Sequence, residues 1–143
     1  MNSRSVIDRL LDQQMIRFIR HPMNFLDAVS ANHYSTRAAA AAAAAADGNR
    51  FHEYSYALFQ SQPPEGGFGL SDDQLITLGR VVGVADPAFA DHVKAGRYLS
   101  WPTFVTARAT ARGVGGTPSV FVAGKAIPAR SDLIVAAVDR ATH

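Results

Sequence analysis

Few side chains in this sequence could carry chemistry, and the thiol is missing altogether. With no cysteine among its 143 residues, the chain can form no disulfide, thiolate nucleophile or thiolate metal site. Its five histidines show neither H-x-x-x-H nor H-E-x-x-H spacing; they are His21, His33, His52, His92 and His143. We therefore expect isolated surface or capping histidines, with no metal site and no cofactor.

Carboxylates and serines offer little more. Asp72 and Asp73 fall in the first turn of a predicted helix, where negative charge favours the helix dipole, and they do not resemble a general acid–base pair. Ser3 and Ser5 precede or begin another predicted helix, and Ser5 with Asp8 is a plain N-cap pattern. A serine acting at a helix N-terminus is the alternative interpretation of these two residues.

The composition is that of one globular domain. Apolar residues make up 48% and charged residues 18% of the chain, so a packed core is expected. The net charge is only +2 and the basic residues are scattered, which argues against a nucleic-acid partner. No apolar run is long enough to span a membrane. The first residues lack the apolar core and cleavage site of a secretory signal.

The first part of the chain is predicted to hold a helix and then a strand. Residues 5–12 place Val6 and Leu10 on one helical face. Residues 15–19 form an apolar run broken by Arg17 and ended by His21 and Pro22, which predicts a strand of about six residues. A helix followed by a strand is half of a β-α-β unit.

The middle of the chain, residues 32–112, is predicted to be all helical. Residues 32–47 contain nine consecutive alanines, Ala38 to Ala46, and have the highest helix propensity of the chain. Either this run is a tolerated repeat, which we favour, or its small side chains let a neighbouring helix approach closely. The next segment, residues 50–62, carries an aromatic stripe that we expect in the core; it includes Phe51 and Phe59.

Helix signals continue after the loop at residues 63–69. Ser71 and Gln74 form a capping-box pattern. Asp86 before Pro87 predicts a second helix start. Residues 101–112 predict a further helix with Phe104 facing inward.

The sequence changes character at GVGGTPSVFVAGKAIP, residues 113–128. A glycine-rich bend and a proline are followed by a short β-branched and aromatic run, the two-residue turn Ala123-Gly124 and a returning strand. Ser131 is predicted to cap a last helix. Since the glycines lead into a strand rather than a helix, they are not a phosphate-binding loop.

These pieces, in this order, resemble the DsbA-like branch of the thioredoxin superfamily. The segment GVGGTPSVFVAGKAI is similar to that family's G-V-x-G-T-P-x-hydrophobic-F-V-x-G-K sequence. HPMNFLD resembles the strand end that enters the family's helical insertion, YSTRAA the start of its first insertion helix, and LSDDQLITLGRVVGV its later helix. The resemblance covers about residues 5–140.

The resemblance implies an α/β, thioredoxin-like fold. It is expected to be incomplete at the N-terminus, with the first strand absent, and to carry an all-helical insertion between a β-α-β half and a β-β-α half. Residues 1–143 would then form a single domain, with the insertion at 32–112 and the ββα half at 113–143. In this family the proline carries a cis peptide bond beside the active site. Gly116, Thr117 and Pro118 are accordingly expected to bind an extended peptide through the backbone of Thr117.

The sequence departs from the family at the catalytic residues. DsbA-like oxidoreductases use a C-x-x-C pair at the start of their first helix, and this chain has no cysteine. Without its first, central strand the sheet would expose an open edge that favours pairing with another chain. We therefore expect a homo-oligomer or a sheet completed by a partner.

Three functions remain open from the sequence. The first is a redox-inactive domain that binds a protein or an extended peptide, by strand addition. The second is a truncated or internal-start form of a thiol–disulfide oxidoreductase whose C-x-x-C lies upstream. The third is a serine-dependent relative of the glutathione transferases and isomerases, using Ser3 or Ser5. The family is mostly extracytoplasmic and these residues show no export signal, which leaves the compartment open.

Overall fold

A computed structural model describes residues 3–143 of the chain. Its helices are α1 (Ser3–Asp12), α2 (Tyr34–Asp47), α3 (Phe51–Gln60), α4 (Asp72–Val81), α5 (Phe89–Lys94), α6 (Ser100–Ala111) and α7 (Ser131–Thr142), its strands are β1 (Val120–Val122) and β2 (Lys125–Ile127), and a 3-10 helix spans Asp27–Val29. The chain divides into two compact units. The sheet unit contains the residues up to His21 together with Val114–His143, and the helical unit is Pro22–Gly113.

The sheet unit packs one face of a β-hairpin against two helices. β1 pairs antiparallel with β2, with Val120 opposite Ile127 and Val122 opposite Lys125. Its core is made of buried residues of α1 and α7 and the inward side chains of the hairpin, namely Val6, Leu10, Ile134 and Val138, with Val120, Val122 and Ile127 packed against them. Burying one such aliphatic side chain is worth about 1.5–3 kcal/mol, so this small core positions the hairpin.

The strand predicted at residues 15–19 is not formed. The chain from residue 15 to residue 24 has no regular secondary structure, although Met15 and Ile16 pack against the core of the sheet unit. A strand exists only when a neighbouring strand accepts its hydrogen bonds. Within residues 3–143 the sheet has two strands, and neither pairs with this segment.

The helical unit is built around the polyalanine helix α2. Six of its alanines are buried, Ala39, Ala40, Ala41, Ala42, Ala44 and Ala45, and α2 contacts α3, α4, α5 and α6. Small side chains allow helix backbones to approach closely. The buried alanines support the second interpretation, in which small side chains let neighbouring helices approach closely.

Of the two caps predicted in this part of the helical unit, that of α4 is confirmed, whereas the N-cap of α5 is Ala88, without a side-chain capping bond, and not Asp86. Ser71 and Gln74 form the reciprocal capping box of α4. Asp86 accepts a hydrogen bond from the backbone N–H of Ala88, at 2.9 Å, just before α5. Such side-chain acceptors satisfy N–H groups that have no partner within the helix.

The start of α2 uses a cap that the sequence did not reveal. Asp27 accepts a hydrogen bond from the backbone N–H of Thr36 at 3.0 Å, and its other oxygen lies 2.8 Å from Nδ1 of His33. Burial by itself would raise the pKa of Asp27, but the hydrogen bonds from His33 and Thr36 outweigh it and hold that pKa below its usual value. His33 is thus a surface histidine that supports a helix end.

Helical periodicity misplaced two aromatic residues and one serine. Phe59 and Phe104 were expected inside, yet their side chains are 67% and 58% exposed. Ser131 was expected to cap α7, but it is the first helical residue, and Arg130 occupies the cap position without a side-chain hydrogen bond that caps the helix. Among the described residues, none of the helices has the length and apolar character that crossing a membrane requires.

Candidate functional site

The loop that joins α6 to β1 holds the three predicted site residues. Gly116, Thr117 and Pro118 are all exposed, and the Thr117–Pro118 peptide bond is cis. A Cβ added at Gly115 or Gly116 would meet no atom within 4 Å. The hydroxyl of Ser119 donates to the carbonyl oxygen of Gly116 at 2.7 Å and closes the loop around the proline. The loop therefore presents its backbone to the surface.

The backbone of Thr117 has unused hydrogen-bonding capacity. No hydrogen bond joins its N–H or C=O to another residue within residues 3–143. Exposed backbone groups of this kind are hydrogen-bonded to water in the free protein. They can exchange this bond for one to a peptide at a small cost in free energy.

The open edge of β1 continues from this loop. The two residues that flank a two-residue hairpin turn are hydrogen-bonded to each other, whereas the next pair of opposite residues is not. Val122 and Lys125 flank the turn, so Phe121 and Ala126 form the next pair. Their N–H and C=O groups point away from the opposite strand. The backbone groups of Phe121 consequently face the outer edge of β1, to which the described residues add no further strand.

The exposed face of β1 is apolar. Phe121 is 53% exposed, whereas its neighbours Val120 and Val122 turn toward the core. The hairpin turn follows at once, with φ +48° at Ala123 and +80° at Gly124, the two positive values of a type I′ turn. A ligand strand along this edge would meet one aromatic ring and a row of backbone groups.

Acid–base chemistry is not available in this segment. Residues 113–124 contain no ionisable side chain. The polar atoms offered are backbone groups and the hydroxyls of Thr117 and Ser119. What such a surface can do chemically is bind an extended chain, since proton transfer needs a titratable group near the substrate.

The serines of the alternative hypothesis lie elsewhere in the sheet unit. The hydroxyl of Ser3 is 3.2 Å from that of Ser131. Ser3, Arg9 and Asp132 help to line an open cavity of about 670 Å³ between α1 and the start of α7. Ser5 is exposed. A catalytic role for either serine stays a prediction.

One cluster was missed by the sequence patterns. Asp47, Asp86 and His92 come together in the helical unit, with potential ligand atoms within 4.8 Å of one another. The three are too far apart in sequence to form a recognisable motif, and no spacing rule would have found them. His92 is therefore not the isolated histidine that we expected.

Comparison with known proteins identifies the scaffold. The family described as Thioredoxin matches residues 2–140. The chain belongs to the thioredoxin family. It is DsbA-like within that family, since it superimposes on the oxidised structure of DsbA from Mycobacterium tuberculosis with a TM-score of 0.83 and 30% identity, over 97% of this chain and 72% of that one.

Two further solved structures from the same organism agree. The reduced form of the disulfide bond oxidoreductase DsbG gives a TM-score of 0.84 at 30% identity, over 97% of this chain and 68% of that one. The reduced form of DsbA gives 0.77 at 27% identity, over 99% and 78%. No curated protein matches the sequence. The thioredoxin-like fold predicted from the sequence is confirmed, and the 143 residues of this DsbA-like chain contain no cysteine.

Proposed function

We propose that this DsbA-like chain is a protein-interaction domain that binds an extended peptide and does not itself exchange disulfides. The observation that carries the proposal is that the backbone groups of Thr117 and of Phe121, on the outer edge of β1, have no hydrogen-bond partner within residues 3–143. Thiol–disulfide exchange requires a thiolate as nucleophile, and the sequence provides none.

The bound segment is expected to add to β1 as a strand. Thr117 has no backbone partner in the described chain, and Phe121 offers one N–H and one C=O along the same edge. Main-chain hydrogen bonds supply affinity in this mode of recognition, and side-chain pockets supply preference. The exposed ring of Phe121 favours a segment with an apolar side chain opposite it.

The proposal can be tested with an unfolded protein as the probe. Peptides of about twelve residues from reduced, alkylated α-lactalbumin would be titrated into the ¹⁵N-labelled chain and followed by NMR and fluorescence anisotropy. The amide resonances of Thr117 and Phe121 should shift on binding. Absence of binding by every peptide would refute the proposal.

Two proline substitutions give a matched pair of variants. Phe121→Pro removes an N–H that faces the open edge of β1 and should leave the bonds between the strands intact. It is expected to weaken peptide binding about tenfold, the equivalent of one hydrogen bond of ~1.4 kcal/mol. Ala126→Pro makes the same change on the outer edge of β2 and should leave binding unchanged. Equal losses in both variants would contradict docking at β1.

A third variant separates the contribution of the backbone N–H of Phe121 to peptide binding from that of its aromatic ring. Phe121→Thr keeps the N–H and removes the aromatic side chain, so most of the binding should remain if the backbone is the main contact. Amide protection at Val120 and Val122 confirms that the hairpin is still formed in each variant.

A second copy of the chain is another candidate for the same edge. Pairing of two β1 edges would give a homodimer whose dissociation is measured by sedimentation equilibrium. Phe121→Pro should then shift the equilibrium toward monomer, and Ala126→Pro should not. If the chain is monomeric at all concentrations and still binds peptide, the ligand of the β1 edge is a peptide and not a second copy of the chain.

A thiol–disulfide function is the second candidate, and the resemblance to DsbA and DsbG favours it. It would require a cysteine pair supplied from outside these 143 residues. Reading the coding DNA upstream of the Met1 codon distinguishes the two: an in-frame strand pattern followed by C-x-x-C supports the oxidoreductase, and a stop codon directly before Met1 supports the interaction domain.

A further inference from the structure

The helical unit brings an imidazole and two carboxylates together at one point. Asp47 is the last residue of α2, Asp86 lies just before α5, and His92 is on α5. Their potential ligand atoms all lie within 4.8 Å of one another. Two carboxylates this close repel each other unless a positive charge lies between them, so the arrangement needs an explanation.

A glycine lies where the end of α2 meets the loop that carries Asp86. A Cβ at Gly48, directly after α2, would lie 3.3 Å from Cγ1 of Val84 and 3.5 Å from Cβ of Asp86. The end of α2 therefore packs closely on the loop that carries Asp86. This contact fixes Asp47 and Asp86 through the backbone, independently of any attraction between their side chains.

The imidazole of His92 points a buried nitrogen at the carboxylates. Its Nδ1 atom is buried and has no hydrogen-bond partner within residues 3–143, although it lies 3.5 Å from Oδ2 of Asp47. The ring packs edge to face against Tyr98, with centroids 6.0 Å apart, which restricts its rotation. A ring nitrogen beside two carboxylates can donate a hydrogen bond to one of them, or its lone pair can bind a metal ion together with their oxygens.

Hydrogen bonds orient both carboxylates. The hydroxyl of Tyr98 donates to Oδ2 of Asp47 at 2.7 Å, and the backbone N–H of Ala88 donates to Oδ1 of Asp86 at 2.9 Å. Each carboxylate thus has one oxygen held in place, as is usual around metal ligands.

Arg97, close to Tyr98, does not neutralise the pair directly. Arg97 reaches the hydroxyl oxygen of Tyr98 at 3.3 Å and stacks over its ring. In the described part of the chain no ion pair joins Arg97 to either carboxylate. The two negative charges are therefore left for His92 and an added cation.

We propose that Asp47, Asp86 and His92 bind a divalent transition-metal ion, with Zn²⁺ as the favoured ion. Zinc bonds to His nitrogen and carboxylate oxygen are about 2.0–2.2 Å long, which places neighbouring ligand atoms of a tetrahedral site about 3.3–3.5 Å apart. Small side-chain rotations are enough to reach this from the separations present. Three protein ligands leave at least one position to water. A ligand set containing imidazole disfavours Mg²⁺ and Ca²⁺, which prefer oxygen alone.

The test is calorimetric titration of the chelator-treated chain with ZnCl₂. One Zn²⁺ per chain is expected, with no comparable binding of Mg²⁺. His92→Gln and Asp86→Asn should each weaken binding at least tenfold. His33→Gln is the matched control and should leave binding unchanged. His33 pairs with a single carboxylate, Asp27, and within residues 3–143 it lies in no cluster of three such ligands.

A second measurement does not depend on the folding of a variant. In the unmodified chain, Zn²⁺ should shift the imidazole ¹⁵N resonance of Nδ1 of His92 and leave that of His33 in place. Tyr98→Phe keeps all three ligands and removes only the bond that orients Asp47, so it should weaken binding by a smaller factor than His92→Gln.

Three results would overturn the proposal. They are no Zn²⁺ binding, binding that is equally strong in His92→Gln, and an unshifted His92 resonance at saturating Zn²⁺. Each would show that Asp47, Asp86 and His92 do not form a zinc site.

Discussion

Tyr54 is the residue at which stability of the helical unit is most directly tested. Its side chain is 0% exposed, its hydroxyl donates to the carbonyl oxygen of Leu75 at 2.9 Å, and its ring packs edge to face against Phe89 with centroids 5.6 Å apart. The residue therefore connects α3 to α4 and α5 by one hydrogen bond and one ring contact.

Two substitutions separate these contributions. Tyr54→Phe removes only the hydroxyl and should lower the free energy of unfolding by about 1 kcal/mol, the net value of a buried hydrogen bond. Tyr54→Ala also removes the ring and leaves a cavity beside Phe89, so the loss should reach about 3–5 kcal/mol.

Urea unfolding at neutral pH measures both changes. Far-UV circular dichroism follows the helices, and the single tryptophan, Trp101, reports on the helical unit through its edge-to-face contact with Phe51. Tyr56→Phe on the same helix is the matched control; Tyr56 is only partly buried, and this change should stay within about 0.5 kcal/mol. Equal effects of Tyr54→Phe and Tyr56→Phe would refute the reasoning.

Alkaline titration gives an independent measurement on the same residue. Burial, with a smaller contribution from Tyr34, raises the pKa of Tyr54 well above its ordinary value. The folded state therefore holds this proton more tightly than the unfolded state. Stability from the neutral hydroxyl is complete below about pH 10, the ordinary tyrosine pKa, and is lost as pH rises toward the folded value. Absorbance at 295 nm should show a late-titrating tyrosine that Tyr54→Phe removes.

Three further predictions concern single residues. Ala123→Gly should stabilise the hairpin by about 0.5–1 kcal/mol. Alanine at φ +48° costs ~1–2 kcal/mol, and part of the gain from removing this strain is offset by the greater conformational entropy of glycine in the unfolded chain. Amide exchange at the hairpin should become slower, and faster exchange would contradict the prediction. Asp27→Ala should cost about 0.5–2 kcal/mol at pH 7 by removing the cap from Thr36. Because the pKa of Asp27 is lowered in the folded state, urea midpoints of the two proteins should converge as pH falls below about 4, and a gap that persists at pH 2 would count against the cap. Gly79→Ala should lower the stability of the helical unit by about 1–2 kcal/mol, although alanine has the better helix propensity. The added Cβ would lie 2.7 and 3.0 Å from ring carbons of the buried Phe89. An unchanged or higher melting temperature would exclude this clash.

Local signals in the sequence were sufficient to predict the cap of α4 and the turn that precedes α5. The capping box of Ser71 and Gln74 and the acceptor at Asp86 depend on residues two or three positions apart, and such short-range bonds form wherever the helix forms. The capping bond between Asp27 and Thr36 joins residues nine positions apart, with a turn of 3-10 helix between them. No sequence motif of short spacing predicts such a bond.

The sequence predicted which face of a helix is apolar, but not which residues of that face are buried. Periodicity placed Phe59 and Phe104 inside, but it describes the face of a helix and not whether a neighbour covers that face. The alanines of α2 are buried because α3, α5 and α6 pack on them, which depends on the position of the other helices.

The sequence by itself determined the family, the order of the helices, the hairpin and the absence of a thiol, because these follow from residue types and short spacings. The tertiary structure decided the rest. Whether residues 15–19 become a strand depends on a partner strand, which no local pattern specifies. Likewise, Asp47, Asp86 and His92 meet because the end of α2 packs against the loop before α5. Contacts between distant segments are set by packing geometry, and that geometry is encoded by the whole core and not by the residues that finally touch.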